Sequence, residues 1–392
     1  MVAPFPPRLD AAHGGARVVG RLAFELASTN DVGVLCFHAP NEAPVDDALR
    51  ERLAFVEEVR LEPRRNAAAR MRRAAEIAVG WIRGDPRLVT NYRSKAFRER
   101  LRGVVAAWRP RIVHFEPHLV GQYVVATQTD ETQTVVVVHE PGAHAAAAAR
   151  AFSSKIDAWA WRRFERRILP MMDAVVVLTN EDLGLLRDDA HNRTVRIPFG
   201  ADAFELQEPP RESAVVLYYA NYSHAPNREA AERLVHAIFP RVRQDVPDAR
   251  LVLAGDASGA TLPTGPGVEH AGFVPDLAVL LESAAVVAAP LRTGGGMRVK
   301  VAESLAAGKA VVATRLAVAG MDVAPGEHYA LAETDAEFAS SISRLLQNEE
   351  ERRALEVGAK TWAAANLSWA SVAHLYDALY VSLDPGPKLG DA

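Results

Sequence analysis

Apolar and polar positions alternate along this chain in blocks that predict strands and helices in turn. In the first half, five short apolar runs predict strands at Val32–Phe37, Arg111–Phe115, Thr134–Val138, Ala174–Leu178 and Thr194–Pro198. Helical periodicity occupies the intervals 66–82, 93–108, 118–127, 150–170 and 180–189. The second half continues with strand patterns at 215–220, 250–254 and 268–271, and helical patterns at 228–244, 277–283, 336–346 and 350–383. Such alternation predicts two doubly wound parallel sheets, which bind ligands beyond the carboxyl ends of their strands.

The segment from Ala284 to Thr314 predicts a complete strand–loop–helix–strand unit. A buried strand at Val286–Pro290 leads into Gly294-Gly295-Gly296, and a second strand follows at Ala310–Thr314. Between them we expect a helix over Met297–Ala307, which Gly308 ends. Glycines let the backbone approach a ligand closely, and a helix N-terminus attracts anions. Arg298, Lys300 and Glu303 offer two cations for a phosphate and a carboxylate for sugar hydroxyls. Two alternatives without a ligand remain: the glycines could form only a flexible turn, and Lys300 and Glu303 could form an ordinary surface i,i+3 pair.

Composition and charge narrow the classes of protein that remain. The 392 residues suggest two or three domains, and a net charge of −4 argues against general nucleic-acid binding. No apolar run approaches the ~18 residues that span a bilayer, and the N-terminus lacks an apolar signal core. Cys36 is the single cysteine, so we expect a cytoplasmic protein. No cysteine, histidine or carboxylate pattern at metal-ligand spacing is present in the sequence, and we expect no metal.

The segment 284–314 resembles the donor-site signature of the group 1 (family 4) glycosyltransferases, which have the two-domain GT-B fold. Glu303-Ser304-Leu305-Ala306-Ala307-Gly308 and Val311-Val312-Ala313-Thr314 carry the resemblance. Lys300 matches a lysine of the family branch that has Gly-Gly-x-x-x-Lys here. The family's first glutamate falls on Gly295 and is absent.

This resemblance implies two Rossmann-like domains that face a cleft, with a C-terminal helix crossing back to the first. We expect an acceptor-side domain over residues 1–205, a nucleotide-sugar domain over 206–368, and a crossover helix and tail over 369–392. Pro209-Pro210, in a polar loop, marks the predicted boundary. The family begins with a buried strand, for which only Met1–Ala3 is available here. We therefore expect either a short first strand or a translation start placed too late.

The resemblance also assigns roles to residues outside the glycine loop. His139 is expected near the reacting centre with Lys300, Glu303 and Arg298, while His114 is a weaker candidate. The donor is expected to contact the loop glycines and, largely through backbone groups, Asn221, Gly255, Asp256, Phe273 and Val274. Gly14, Gly15 and Arg17 are expected in a cleft loop, together with Glu140, and a helix over Val18–Ala27 is expected to follow Arg17. In this sequence Arg228 is the only cation in the loop after 220, so Arg298 and Lys300 must supply most of the positive charge.

These expectations predict a retaining, metal-independent hexosyltransferase that uses a UDP- or GDP-linked sugar and a glycan or lipid-linked acceptor in glycoconjugate synthesis. Two alternatives stay open. One is a nucleotide-sugar epimerase on the same fold, and the other is a non-catalytic nucleotide-sugar-binding subunit, which the missing glutamate at Gly295 favours.

Residues 60–109 form a basic region with 14 Arg or Lys against 4 Asp or Glu. Within it, Met71, Ala74, Ala75, Ala78 and Ile82 lie on one helical face, surrounded by arginines and beside Trp81. This pattern is typical of a peripheral surface for anionic membrane lipid. It is equally typical of a helix that packs its apolar face inward and exposes its arginines.

Overall fold

The computed structural model describes residues 1–10, 14–40, 42–61, 67–129, 131–147, 152–186, 193–204, 214–257, 259–274 and 276–383. The chain divides into two compact units. The first comprises Met1–Pro198 with Val372–Ala392, and the second comprises Phe199–Ser371. The domain boundary predicted between residues 205 and 206 lies outside the described residues. No described helix is both long enough and apolar enough to cross a membrane.

The first unit is built on a seven-stranded parallel sheet. Its strands are β1 (Val2–Ala3), β2 (Gly33–His38), β3 (Phe55–Arg60), β4 (Ile112–Phe115), β5 (Gln133–Val138), β6 (Ala174–Val177) and β7 (Arg193–Arg196). They lie in the order β3-β2-β1-β4-β5-β6-β7. The two-residue strand β1 pairs with both β2 and β4 and so lies inside the sheet. The strand order reverses between β1 and β4, which is where open α/β sheets bind ligands.

Helices connect these strands. They are α1 (Gly14–Leu26), α2 (Asp47–Arg52), α3 (Ala67–Arg83), α4 (Arg87–Asn91), α5 (Lys95–Trp108), α6 (Gly142–Ala147), α7 (Phe152–Ile168) and α8 (Asn180–Leu186). The segment His118–Ala126 is 3-10 helical, as is the short turn Leu169–Met171. The valines of β5 from Val135 to Val138 are fully buried, which explains the unbroken apolar run of a strand covered on both faces.

The second unit has a six-stranded parallel sheet. Its strands are β8 (Val215–Tyr219), β9 (Arg250–Ala254), β10 (Val268–Gly272), β11 (Val286–Ala289), β12 (Ala310–Ala313) and β13 (Ala330–Leu331), in the order β10-β9-β8-β11-β12-β13. The helices of this unit are α9 (Ala225–Arg233), α10 (Phe239–Asp245), α11 (Leu277–Glu282), α12 (Val299–Ala306), α13 (Asp335–Gln347) and α14 (Glu349–Asn366), with a 3-10 turn at Leu316–Val318. The last helix, α15 (Trp369–Leu383), belongs to the first unit from Val372 onward. The strand order reverses between β8 and β11. The two parallel sheets confirm the predicted fold class.

Several details differ from the predicted elements. Strand β3 and helix α2 were not expected, nor was the short strand β13. The helix expected over 228–244 is interrupted by a π-helical turn at Leu234–Ile238, where Phe239 donates its N–H to Leu234. Pro240 follows at once and has no N–H to donate, so the wider turn accommodates a residue that a regular helix interior excludes.

Candidate functional site

The glycine loop joins β11 to α12 at the switch point of the second sheet. Gly294 and Gly296 have φ angles of 104° and 68°, which a residue with a Cβ adopts only under strain. Helix α12 begins at Val299, two residues later than predicted, and Gly308 ends it with a φ of 66°. The loop therefore leads directly to a helix N-terminus, where N–H groups without helical partners favour an anion.

Arg298 occupies the N-cap position of α12 and folds back onto the glycine loop. Its Nη2 donates to the carbonyl oxygen of Gly294 at 2.8 Å, and its Nη1 donates to the carbonyls of Gly295 and Gly296. The guanidinium thus fixes the loop conformation and places a positive charge at the helix N-terminus. Arg228 acts similarly one loop away, since its Nη1 donates to the carbonyls of Tyr222 and Ser223 at 2.6 and 2.8 Å.

Lys300 lies in the first turn of α12 and reaches back across the end of β8. Its Nζ donates to Asn227 Oδ1 at 2.7 Å and to the Tyr218 hydroxyl at 3.3 Å. The ammonium also lies 4.7 Å from the centre of the Tyr218 ring, in a cation–π contact. Burial, and then the nearby charge of Arg298, lower the pKa of Lys300 to about 7. Its contacts are with neutral groups, so an anion would favour the protonated form.

Glu303 lies on the same helix and is only 5% exposed. The alternative of a surface Lys300–Glu303 pair requires two solvated side chains, and this burial argues against it. The adjacent Ser304 is held by Tyr219, whose hydroxyl contacts Ser304 Oγ at 3.1 Å and donates to the carbonyl of Lys300 at 2.6 Å. Strand β8 therefore fixes the first turns of α12.

The loops after β8, β9 and β10 are joined by backbone hydrogen bonds. Tyr222 donates its N–H to the carbonyl of Asp256 at 2.9 Å, and Gly255 donates to Gly272 at 2.7 Å. Gly255 has a φ of 124°, and a Cβ there would lie 1.9 Å from the carbonyl oxygen of Ala220. The structure thus holds three of the predicted donor loops together at one edge of the second sheet.

Side chains of the same loops extend this cluster toward Lys300. Asn221 accepts a hydrogen bond from Asn227 Nδ2 through its carbonyl oxygen, at 2.8 Å. Asn227 in turn accepts from Lys300. On the far loop, Phe273 is 55% exposed and Val274 is partly buried, so an apolar surface borders the cluster.

In the first unit, polar groups gather at the carboxyl ends of β4 and β5. Glu116 is completely buried and accepts hydrogen bonds from Nε2 of His114, at 2.8 Å, and from Nε2 of His139. Burial alone would raise the pKa of Glu116. The charges and hydrogen bonds of His139 and His114 outweigh burial and lower this pKa to about 2. The side chain of His139 is 23% exposed, and Glu140 follows it in a partly exposed position.

The C-terminal helix contributes two tyrosines to this cluster. The Tyr380 hydroxyl lies 2.6 Å from His114 Nδ1, and the Tyr376 ring packs against the His114 ring at 5.3 Å between centres. Burial, and then the charge of Glu116, raise the pKa of both tyrosines well above the usual value. The sequence predicted His139 and His114 here but gave no signal for the tyrosines, because no local pattern links residues so distant in the chain.

The predicted glycine loop at Gly14 and Gly15 is wrong in its local structure. Both glycines belong to the first turn of α1, which starts at Gly14 instead of at Val18. The buried face of α1, which includes Val18, Val19 and Leu22, drives a helix that extends back over them. The first N–H groups of a helix still lack helical partners, so these amides keep the capacity to bind an anion. Arg17 lies in the same turn and is partly buried.

Within the described ranges, no group of three or more His, Cys, Asp or Glu side chains is arranged to hold a metal ion.

Comparison with known families and structures agrees with this geometry. Residues 213–348 match the family model described as Glycosyl transferases group 1. A comparison with curated proteins found no match.

Solved structures match nearly the whole chain at low identity. A sucrose-phosphate synthase from Thermosynechococcus elongatus has a TM-score of 0.71 and 20% identity, covering 97% of this chain and 98% of its own. HepE from Anabaena, in complex with UDP and glucose, has a TM-score of 0.67 and 14% identity, covering 97% and 99%. A glycosyltransferase from Rickettsia africae has a TM-score of 0.65 and 12% identity, covering 98% and 99%. Residues 213–348 thus resemble the group 1 glycosyl transferases, and both units have the Rossmann-like sheets of the GT-B fold.

Proposed function

We propose that this protein is a glycosyltransferase that moves a sugar from a nucleotide-diphosphate donor to an acceptor hydroxyl, with donor binding in the second unit and acceptor binding in the first. The observation that carries the proposal is Lys300, held at a helix N-terminus beside a glycine loop at the switch point of the second sheet. HepE, which is similar in fold, has been solved with UDP-glucose. A UDP-sugar is therefore the first donor to test, and a GDP-sugar the second.

In the proposed reaction, the bond between the anomeric carbon and the diphosphate oxygen breaks while the acceptor oxygen bonds to the same carbon. The acceptor proton is released, and the leaving diphosphate gains negative charge. Lys300, Arg298 and the N–H groups at the start of α12 stabilise that charge. These groups provide positive charge without a metal ion, and we propose a metal-independent transfer. Retention of the anomeric configuration rests on the resemblance to family 4.

The remaining residues of the second unit would position the donor. Glu303 is proposed to accept hydrogen bonds from ribose or sugar hydroxyls, because it lies one turn from Lys300 on α12. The joined loops at Gly255–Asp256 and Phe273–Val274 are proposed to hold the nucleobase through backbone groups and apolar contact. His139, at the end of β5, is proposed to contact the transferred sugar.

One observation favours a second candidate, a non-catalytic nucleotide-sugar-binding subunit. Gly295 provides no side chain where the family has its first glutamate, and its carbonyl instead accepts from Arg298. Both candidates predict donor binding, but only the transferase predicts turnover.

The test is a two-part assay with UDP- and GDP-sugars. Thermal shift first identifies the donor, since a ligand that binds only the folded state raises the melting temperature. Nucleotide release is then measured with and without a panel of glycan and lipid-linked acceptors. Acceptor-dependent release supports the transferase, and NMR of the product establishes the anomeric configuration. Binding without release across the whole panel would support the binding subunit, and a new sugar made from the donor alone would indicate an epimerase.

We also propose that the first unit contacts anionic membrane, because the apolar face of α3 is exposed and not packed inward. Met71 and Ile82 are 75% and 80% exposed, and the alanines between them on that face are exposed as well. The end of α3 packs on α7, with the Trp81 indole donating to Asp157 at 2.8 Å. The outer face of α7 adds a cavity of about 560 Å³ lined by Trp159, Arg162, Arg163, Arg166 and Arg167. Apolar groups among arginines are typical of an interfacial surface.

This contact is tested by co-sedimentation with phosphatidylglycerol vesicles at low and high salt, using phosphatidylcholine vesicles for comparison. We expect salt-sensitive binding to the anionic vesicles that Ile82→Asp weakens. Val357→Asp is the matched control, because Val357 is similarly exposed, at 66%, in the second unit. Absence of binding at low salt, or equal weakening by both variants, would contradict the proposal.

A further inference from the structure

Four side chains of the first unit form a continuous chain of hydrogen bonds that joins Tyr380 to His139. Tyr380 on α15 contacts His114 Nδ1 at 2.6 Å, and His114 Nε2 contacts Glu116 Oε2 at 2.8 Å. The other oxygen of Glu116 contacts His139 Nε2. Tyr380 and His114 are 266 positions apart in the sequence, so the C-terminal helix is joined to the carboxyl ends of β4 and β5.

The direction of each hydrogen bond follows from the chemistry of the groups. Glu116 is ionised, so it can only accept, and the Nε2 atoms of His114 and His139 must both carry hydrogen. Whenever His114 is neutral, its lone pair is therefore on Nδ1, where it accepts the hydroxyl hydrogen of Tyr380. Tyr380 remains a donor, because its pKa is raised well above the usual value. The chain therefore specifies one tautomer for each imidazole.

We infer that Glu116 and Tyr380 are positioning residues that fix the orientation and tautomer of His139, and that α15 thereby forms part of the acceptor-side site. This inference rests on the proposed role of His139 in glycosyl transfer. The side chain of His139 is 23% exposed, whereas that of Glu116 is 0% exposed, so His139 is the one of the two that can contact a ligand. A group that reacts or binds through an imidazole is commonly oriented by a third residue in this manner.

Helix α15 also contacts other residues of the first unit that take no part in the hydrogen bonds from Tyr380 to His139. One of these contacts provides a control. Asp377 accepts hydrogen bonds from the Thr29 hydroxyl at 2.9 Å and from Asn30 Nδ2 at 2.8 Å. Asp377→Ala removes these two docking hydrogen bonds but leaves the Tyr380–His114 bond. Tyr380→Phe removes one oxygen and keeps the aromatic ring, while Glu116→Gln retains the shape of the side chain but not its charge.

The first measurement needs no activity. Nitrogen-15 NMR of protein labelled at histidine distinguishes the two neutral tautomers, with the His139 resonance assigned from its loss in His139→Gln. We expect the Nε2–H tautomer at His139 in the wild type and a mixture in Glu116→Gln. A wild-type His139 in the Nδ1–H form would overturn the inference, whether or not the proposed transfer reaction is observed.

The second measurement is steady-state kinetics with the donor identified above. Tyr380→Phe should lower kcat by about 2- to 12-fold, and Glu116→Gln by about 10- to 150-fold, with donor KM nearly unchanged. Asp377→Ala should alter the melting temperature more than kcat. If Asp377→Ala lowers kcat as much as Tyr380→Phe does, the tyrosine acts only by docking the helix, and the positioning role is refuted.

Discussion

Replacing Lys300 by methionine separates the charge of this side chain from its packing. Methionine keeps most of the apolar stem beside Tyr218 but removes the ammonium that donates to Asn227. A charge-assisted hydrogen bond is worth about 1.5–3 kcal/mol, which corresponds to about 10- to 150-fold in donor affinity. We therefore expect the dissociation constant for the nucleotide-sugar to rise by that factor near pH 7.

The pH dependence provides a sharper signature than the affinity alone. The pKa of Lys300 is lowered to about 7, so the free protein loses this charge as the pH rises above 7. A bound diphosphate favours the charged form, and binding above pH 7 must then take up a proton. Wild-type affinity should fall with pH, by up to about tenfold per unit, between pH 7.5 and 9. In Lys300→Met this dependence should be absent.

Calorimetric titration in buffers of different ionisation enthalpy measures both affinity and proton uptake. A nucleotide-sugar is preferable to a nucleoside diphosphate as ligand, because a terminal phosphate itself titrates near pH 6. Lys309→Met is the control, since Lys309 is buried at the other end of α12 and donates to the carbonyl of Ala284 at 3.0 Å. Its loss should lower stability and leave donor affinity unchanged. Equal affinity of wild type and Lys300→Met, or the same pH dependence in both, would refute the reasoning.

Three further changes test other parts of the structure. Gly255→Ala should lower stability by at least about 1–3 kcal/mol, measured by urea unfolding, because its φ is 124° and its Cβ would meet Ala220. Arg233→Met should lower stability by about 1–3 kcal/mol in the same assay, since the buried guanidinium pairs with Asp335 and donates to the carbonyl of Pro290 at 2.9 Å, and methionine leaves that buried carbonyl without this donor. For Glu116, a native pKa of about 2 against the ordinary 4.5 means that its contribution is present above pH 4.5 and lost as the pH falls toward 2. Acid unfolding of Glu116→Gln should therefore be less steep than that of the wild type over this range.

The sequence predicted the second unit well where the structure depends on local contacts. The unit from β11 to β12 has its strands, its glycine loop and the Gly308 stop within two residues of the expected positions. Each of these features follows from neighbouring residues, such as an apolar run or a residue that tolerates positive φ. Helix α12 was expected to start at Met297, but Arg298 bonds to the loop carbonyls and delays the first helical residue to Val299.

Strand β3, at the edge of the first sheet, shows why some strands cannot be predicted from local sequence. Its sequence, Phe-Val-Glu-Glu-Val-Arg, places two adjacent glutamates in a strand, which reads as a solvated segment. In the structure Glu57 pairs with Arg100 of α5, and Glu58 pairs with Arg50 of α2 and with His38 at 2.6 Å. These partners come from separate elements, so only the folded arrangement makes the charges acceptable.

In the candidate sites, too, contacts between residues distant in the sequence could not be predicted. The sequence indicated Lys300 from the glycine loop and helix around it and His139 from the family resemblance, but it gave no sign that Lys300 is buried. Tyr218 lies 82 positions from Lys300, and Tyr380 lies 266 from His114. Pairings at this separation depend on how the sheets and helices assemble. The burial of Lys300 and the tyrosines of α15 therefore became visible only in the structure.

Glu116 and Lys300 are both buried charged groups, but the folded protein stabilises the charged form of only the first. Glu116 is desolvated, but two imidazoles more than offset that cost, so its charged form is stable in the folded protein by itself. Lys300 is desolvated beside neutral groups and close to another cation, so its charged form is disfavoured. A group of the first kind serves to hold its neighbours in place. A group of the second kind gains most when an anion arrives, because the anion restores the interaction that burial removed. The placement of Lys300 at a helix N-terminus, beside Arg298 and three glycines, thus argues for binding of a diphosphate over a role in holding the second unit together.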